Sequence, residues 1–353
     1  MPGFHSTLLT CAVAALCAAG APAYAGPFSA DVVFGDSLSD RGNLADALQH
    51  NFPLPPFFND SFTNGPVAVQ VMANLLGLQA NASLYPTGGK DIFGLGLPGG
   101  TNYALAGATA GSSLGQGVPG LNLSTQLASF LAGVGGKAPS SALYTVFIGG
   151  NDVRSAAQMG SPAYVTDGIT AENVALQSLI AAGATNLLVV NVPDVGLIPE
   201  FTQNSPAGQA AAATAFSQSY NSQLASTVAA LMSANPADNI KLFDLYAFNN
   251  SVLATDASRG ITNTKDACYT SYGGVTDNAP LVINPACGAI DPVTSQAANI
   301  GQFQYWDQIH PTAKVHAAFG QALYAFEVPE PASLALLGVG VLGLVAARRR
   351  RMG

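Results

Sequence analysis

Positive charge is scarce in this chain: 353 residues carry 12 Lys and Arg against 20 Asp and Glu. Four of the basic residues form the terminal run Arg348 to Arg351. Setting aside residues 328–353, whose net charge is +3, takes the formal charge from −8 to −11. A body this acidic repels phosphate backbones, which argues against nucleic acid as substrate or partner. Cysteine and histidine are rarer still, at 4 each. Scattered as they are, they show no metal-ligand spacing, so neither a metal nor another cofactor is expected. What the chain has in quantity is small and apolar: 49% hydrophobic residues and 38 glycines, the composition of a globular chain.

Part of that apolar content sits at the two ends. Residues 6–20 are Ala-rich and apolar, and Ala23-Tyr24-Ala25 is a small-x-small cleavage site, as in a secretory signal, although the first ten residues hold no Lys or Arg. We expect residues 1–25 to be a signal peptide removed by signal peptidase. At the other end, Pro329-Glu330-Pro331 precedes the apolar run 332–347 and the Arg cluster. As a helix that run would span about 24 Å, somewhat short of the ~30 Å hydrocarbon core, with its arginines on the cytoplasmic side. The order of these three features resembles the PEP-CTERM sorting signal of Gram-negative bacteria. The resemblance makes residues 328–353 the sorting signal and implies transient anchoring in the inner membrane by residues 332–347, processing by an exosortase-type enzyme, and a product in the cell envelope or outside the cell.

Cys11 and Cys17 leave with the signal, which leaves Cys268 and Cys287 in an oxidising compartment. They are expected to form one disulfide, the alternative being two free thiols. Between the ends, strand-like runs at 31–35, 143–148, 186–192 and 240–245 alternate with helical patterns at 67–76, 123–131, 171–182, 209–233 and 312–326. This is the pattern of βαβ units around a parallel sheet. In the last helix Val315, Ala318, Phe319, Ala322, Leu323 and Phe326 share a face, and Pro311 suits the first helical position. Residues 249–304 suggest a long insertion with little regular structure.

The chemistry is carried by Gly35-Asp36-Ser37-Leu38, which follows the first strand and would put Ser37 at the carboxyl edge of the sheet, where open α/β sheets bind ligands. A serine needs a base within hydrogen-bond reach. His310 in Asp307-Gln308-Ile309-His310-Pro311 has an acid three residues before it, placed to meet Nδ1–H and fix the tautomer. His50 and His316 have no acid so spaced, and His316 is expected on the surface. For the developing oxyanion, Asn151 in Gly149-Gly150-Asn151-Asp152 offers a side-chain amide at the same edge, and the Ser37 N–H a second donor. A third comes from the glycine turn at 102–108, through Ala106 or, preferably, Gly107. Asp36 and Asp152 are expected to tie down turns, and Asp40 and Asn43 to cap the loop after Ser37. Trp306 and Tyr305 either wall the acyl pocket or pack in the core.

Together these stretches resemble the GDSL, or SGNH, hydrolase family, and the resemblance covers nearly all of residues 28–327. Gly35-Asp36-Ser37-Leu38 matches its first block, residues 102–108 its second, Gly149-x-Asn151-Asp152 its third, and Asp307-x-x-His310-Pro311 its fifth. Asn64-Gly65-Pro66 resembles the lipase and phospholipase branch. Ala106 departs from the Gly-Gly that many members carry in block two. The family implies a flavodoxin-like three-layer α/β/α sandwich with a parallel central sheet over residues 26–327. It also implies ester hydrolysis through an acyl-enzyme on Ser37, without a metal, on an acyl ester, a lipid or an acetylated polysaccharide. Two rivals remain. Gly111-Ser112-Ser113-Leu114-Gly115 fits G-x-S-x-G but lacks the strand and helix that such an elbow requires. An inactive extracellular matrix or binding protein could keep the fold, although all the chemical groups are present in order.

Overall fold

The computed structural model describes residues 27–50, 57–89, 99–115, 117, 120–253, 257–270, 282–294 and 296–328. The expected signal peptide and the sorting tail after residue 328 lie outside them.

Four parallel strands, β1 (Asp31–Gly35), β2 (Leu143–Phe147), β3 (Asn186–Val190) and β4 (Asn239–Phe243), stand side by side in sequence order. Residues 101–105 run along the free side of β1, with hydrogen bonds from Val33 N to Thr101 O, Tyr103 N to Val33 O and Leu105 N to Gly35 O at 2.7–3.0 Å. Counting that segment, the order is the 2-1-3-4-5 of flavodoxin-like folds, in which connections leave β1 in opposite directions and open a crevice at its carboxyl end. Register is exact across the sheet: Gly35, Phe147, Val190 and Phe243 form one row, so the loops after all four strands emerge at one edge. Gly35 is required there, because a Cβ would lie 2.5 Å from Phe147 O.

β1, β2 and β3 are buried on both faces, which is why they are apolar runs and not alternations, whereas β4 at the sheet edge is only partly covered. Leu143, Phe147, Leu188, Val190 and Phe243 pack against Ala68 and Met72 of α1 (Ala68–Leu75) and against Phe319 and Leu323 of the last helix, Ala313–Glu327. Tyr144, Val146, Leu187 and Val189 face the opposite layer. That layer is built by α2 (Leu123–Gly133), α3 (Gly150–Met159), α4 (Ala163–Ala182) and α5 (Gln209–Ala234). The last helix is α6. Three layers with helices on both faces are the expected sandwich. Burying each Leu, Val or Phe contributes about 1.5–3 kcal/mol, so the sheet core dominates stability.

Several expectations need correction. Helix α3 was not foreseen, since GNDVRSAAQM is largely polar and buries only one side. Pro311 is not the first residue of α6: it bridges back to Tyr305, Thr312 takes the N-cap, and Asn64 Oδ1 accepts from Ala313 N at 2.8 Å. His316 is 1% exposed, because α6 lies directly on α1 and the ring nitrogen Nδ1 accepts from Ala68 N, a helix-start amide without an intrahelical acceptor. The insertion is more regular than its composition suggests. Strand β5 (Asn263–Ala267) pairs in parallel with β6 (Phe303–Tyr305), and Cys268 is bonded to Cys287. Around that disulfide, Tyr269, Ala297, Ile300, Phe303 and Trp306 form a small core of their own. Trp306 is fully buried against Tyr269 and Phe57, so it belongs to packing and not to the acyl pocket.

Candidate active site

The turn after β1 is built by Asp36, whose carbonyl accepts from Ser39 N and Asp40 N and whose Oδ1 accepts from Leu38 N. It holds Ser37 up at the sheet edge. Burial raises the Asp36 carboxyl to about 6, against the Leu38 amide, His310 and Arg154, which pull it down. Asp40 collects N–H bonds from Gly42, Asn43, Leu44 and Ala106 at 2.8–3.2 Å, and burial raises it too, to about 6. Asn43 donates to Asn102 O and Ala104 O, fastening the loop after Ser37 to the glycine turn. Asp152 accepts from Ala110 N and Gly111 N. These side chains fix backbone, as the sequence suggested.

On this frame the distant residues meet. Ser37 Oγ lies 2.8 Å from His310 Nε2, and His310 Nδ1 lies 2.8 Å from Asp307 Oδ2. Asp307 Oδ1 also accepts from Ile309 N at 2.8 Å and from His310 N at 2.7 Å, so the turn that carries the imidazole is closed by the acid that orients it. Asp307 is wholly buried, His310 is 3% exposed and Ser37 is 9% exposed, which leaves the hydroxyl as the open end of the relay. The Phe62 ring packs on the imidazole, its centre 5.5 Å away.

Ser37, Ala106, Gly107, Asn151 and His310 line one cavity of about 540 Å³. The Ala106 N–H is taken by Asp40 at 2.8 Å, whereas Gly107, with φ 80°, has no hydrogen-bond partner for its amide among the described residues. Asn151 stands in the first turn of α3; its Nδ2 donates one hydrogen to Ala108 O at 2.9 Å. Sequence reasoning did not find the rest of the cavity wall: Leu44 and Phe62 on one part, and Arg154, Glu200, Asn204, Thr270 and Gln308 on another. Arg154 was legible in principle, one helical turn after Asn151. Glu200 carries no local signal. Tyr305 lines a different cavity.

The other candidates are not assembled. Ser113 is exposed and bonds to Asp167 through both Oγ and its amide. Exposed His50 pairs with half-buried Asp60 at 3.1 Å, an acid ten residues on that spacing rules do not single out. Burial depresses the His316 imidazole to about 3, with His310 adding to the effect, so it stays neutral. Among the described residues no group of His, Cys, Asp and Glu could hold a metal.

An alcohol, an imidazole and a carboxylate in relay beside unused N–H donors are the parts of nucleophilic acyl transfer. The chain belongs to the GDSL-like lipase/acylhydrolase family, whose sequence profile matches residues 32–323. A PEP-CTERM protein-sorting motif matches residues 327–351, which indicates export to the cell envelope. Among curated proteins, a phosphatidylcholine-sterol acyltransferase of Aeromonas hydrophila is 26% identical over 331 residues, covering 85% of this chain and 90% of the relative. A GDSL esterase/lipase of Arabidopsis thaliana is 25% identical over 324 residues, 83% of this chain and 85% of the relative. The thermolabile hemolysin of Vibrio parahaemolyticus is 28% identical over 294 residues, 81% of this chain and 60% of the relative. Among the described residues no helix is long and apolar enough to cross a membrane, and the run 332–347 lies outside them.

Proposed function

We propose that this chain is an exported serine carboxylester hydrolase. Ser37 attacks the ester carbonyl while His310 Nε2 takes its proton and Asp307 holds the imidazolium that forms. The oxyanion receives the N–H groups of Ser37 and Gly107 and the Asn151 amide. His310 returns the proton to the leaving alcohol, and water repeats the cycle on the acyl-enzyme. The observation that carries this reading is the unbroken relay of 2.8 Å contacts from Ser37 to Asp307.

The cavity has room for an acyl group near Phe62 and for a hydrophilic alcohol part beside Asn204, Thr270 and Gln308. Phospholipids and acetylated polysaccharide both suit such a division, alongside short acyl esters. Export proceeds through signal peptide 1–25, with residues 332–347 anchoring the chain until an exosortase-type enzyme acts. A fluorophosphonate probe should label wild type and not Ser37→Ala. Hydrolysis of graded p-nitrophenyl esters, acetylated xylan and phosphatidylcholine should vanish in Ser37→Ala and persist in Ser113→Ala. The reverse pattern would move the nucleophile to Ser113, and an unlabelled wild type would make the site a decayed one.

A further inference from the structure

Arg154 forms a two-pronged ion pair with Glu200: Nε to Oε2 at 2.7 Å and the second terminal nitrogen to Oε1 at 2.8 Å. Its remaining terminal nitrogen donates to Asn151 Oδ1 at 3.1 Å. Gln158 also donates to Glu200 Oε1, at 3.1 Å. The Glu200 backbone N–H donates to Gln308 O at 2.9 Å, inside the turn between Asp307 and His310. Both members of the pair are mostly buried, with side-chain exposures of 25% and 21%. A chain of polar contacts thus runs from the loop of the base, through Glu200 and Arg154, to the amide at the far side of the cavity.

Donor chemistry fixes what this does to Asn151. A guanidinium has only donors, so the atom facing it must be the amide oxygen; Ala108 O only accepts, so the atom facing it must be the NH₂. The amide is locked from both ends, and its second N–H, which has no partner among the described residues, is left to the cavity that Ser37 lines. Charge on the guanidinium also polarises the amide and makes that N–H a stronger donor as negative charge develops. We infer that Arg154, braced by Glu200, is a positioning residue that aims and polarises the Asn151 donor at the oxyanion. The inference rests on the proposed hydrolase reading of this site.

A double-mutant cycle on kcat tests it, with Asn151→Ala, Arg154→Ala and the pair together on one p-nitrophenyl ester. Asn151→Ala should lower kcat about 10²–10³-fold. Arg154→Ala should lower kcat about tenfold with KM little changed, and should cost almost nothing further in the Asn151→Ala background. Arg154→Lys, which keeps the charge and loses the fork, should fall between wild type and Arg154→Ala. Affinity for a trifluoromethyl ketone, whose adduct carries the oxyanion, should weaken in step with kcat/KM across the single variants. Additive losses, or an effect of Arg154→Ala confined to KM, would overturn the inference and make Arg154 a substrate contact. Thermal melts of every variant identify any loss that is merely misfolding, and Arg154→Lys keeps the cycle informative if the alanine variant unfolds. An inactive wild type would instead refute the hydrolase reading itself.

Discussion

Replacing Asp307 by asparagine separates chemistry from architecture at one atom. Asp307 Oδ1 accepts two backbone N–H groups, from Ile309 and His310, and an asparagine oxygen in the same place would keep both. What changes is Oδ2, 2.8 Å from His310 Nδ1, where an NH₂ would replace an acceptor with a donor. His310 Nδ1 would keep only its longer contact, 3.0 Å to Oδ1, an oxygen already taken by two backbone N–H groups, while the nearer NH₂ favours the tautomer with the ring proton on Nε2, in which the nitrogen facing Ser37 cannot take its proton. The imidazolium of the transition state would also lose a carboxylate that is wholly buried and therefore unscreened. An equivalent change in a serine protease triad costs about 10⁴ in kcat, or about 5 kcal/mol, and a similar loss is expected here. Asp307→Ala should lose as much activity and also leave the buried His310 N–H and the part-buried Ile309 N–H unpaired, lowering stability by roughly 2–6 kcal/mol. The assay is kcat on a p-nitrophenyl ester beside a thermal melt for each variant. Asp307→Asn retaining more than about a tenth of wild-type kcat would refute the assigned roles.

Three further predictions concern the frame around the site. Burial raises the Glu172 carboxyl to about 8 from 4.5, with Tyr220 hydrogen-bonding it and Asp152 adding repulsion. Because its folded value is the higher one, its contribution to stability is whole below about 4.5 and is lost progressively as the pH climbs to about 8. Glu172→Gln should therefore gain on wild type across that window, by up to about 1.4 kcal/mol per pH unit; parallel melting curves against pH would count against it. Gly107→Ala puts a Cβ at φ 80°, which should destabilise the turn by roughly 1–2 kcal/mol and lower kcat about tenfold by turning its amide away. An unchanged kcat would remove Gly107 from the oxyanion site. Replacing Cys268 and Cys287 together by serine opens a loop closed over a separation of 19 residues, at a cost of about 3 kcal/mol seen in denaturant melts. Activity should fall with it, since Thr270 of the cavity wall lies two residues beyond Cys268.

How much of this was legible depends on how the information is stored. Strands such as 31–35 are apolar on both faces because the sheet is covered on both, so their composition alone marks them. The chemical groups were legible because each sits within a few residues of a strand end or helix start. Ser37 follows β1, and the acid of His310 is only three residues away and closes its own turn. Helix α3 has a weak signature because its core face is carried by few residues, Val153, Ala156 and Ala157, beside a buried Asp152. The burial of His316 is hidden for a related reason: a polar side chain beside an apolar face suggests solvent until a second helix supplies an N–H for it to accept. The order within the insertion is held by one disulfide and by pairing of β5 with β6, which lie far apart in the chain and carry no common period.

The wall of the cavity is less marked in the sequence than its chemistry for a physical reason. A triad must present fixed atoms, and the local turns that fix them have sequence signatures. The Arg154–Glu200 pair has none, because its members stand on two elements separated in the chain, α3 and the short helix Pro199–Gln203, and meet only once the chain has folded. Arg154 is set by helical spacing from Asn151, while Glu200 is set by the hydrogen bond its backbone N–H donates to Gln308 O in the loop of the base. The pair therefore reports the distance between the two halves of the site. A shift of α3 relative to the His310 turn would break the fork before it disturbed the 2.8 Å contacts of the relay. Conditions that part this ion pair should accordingly lower kcat while Ser37 still reacts with a fluorophosphonate, because labelling needs the nucleophile and its base more than a fully polarised oxyanion donor. Labelling and turnover that decline together under mild denaturant would show instead that the relay and the oxyanion wall fail as one unit.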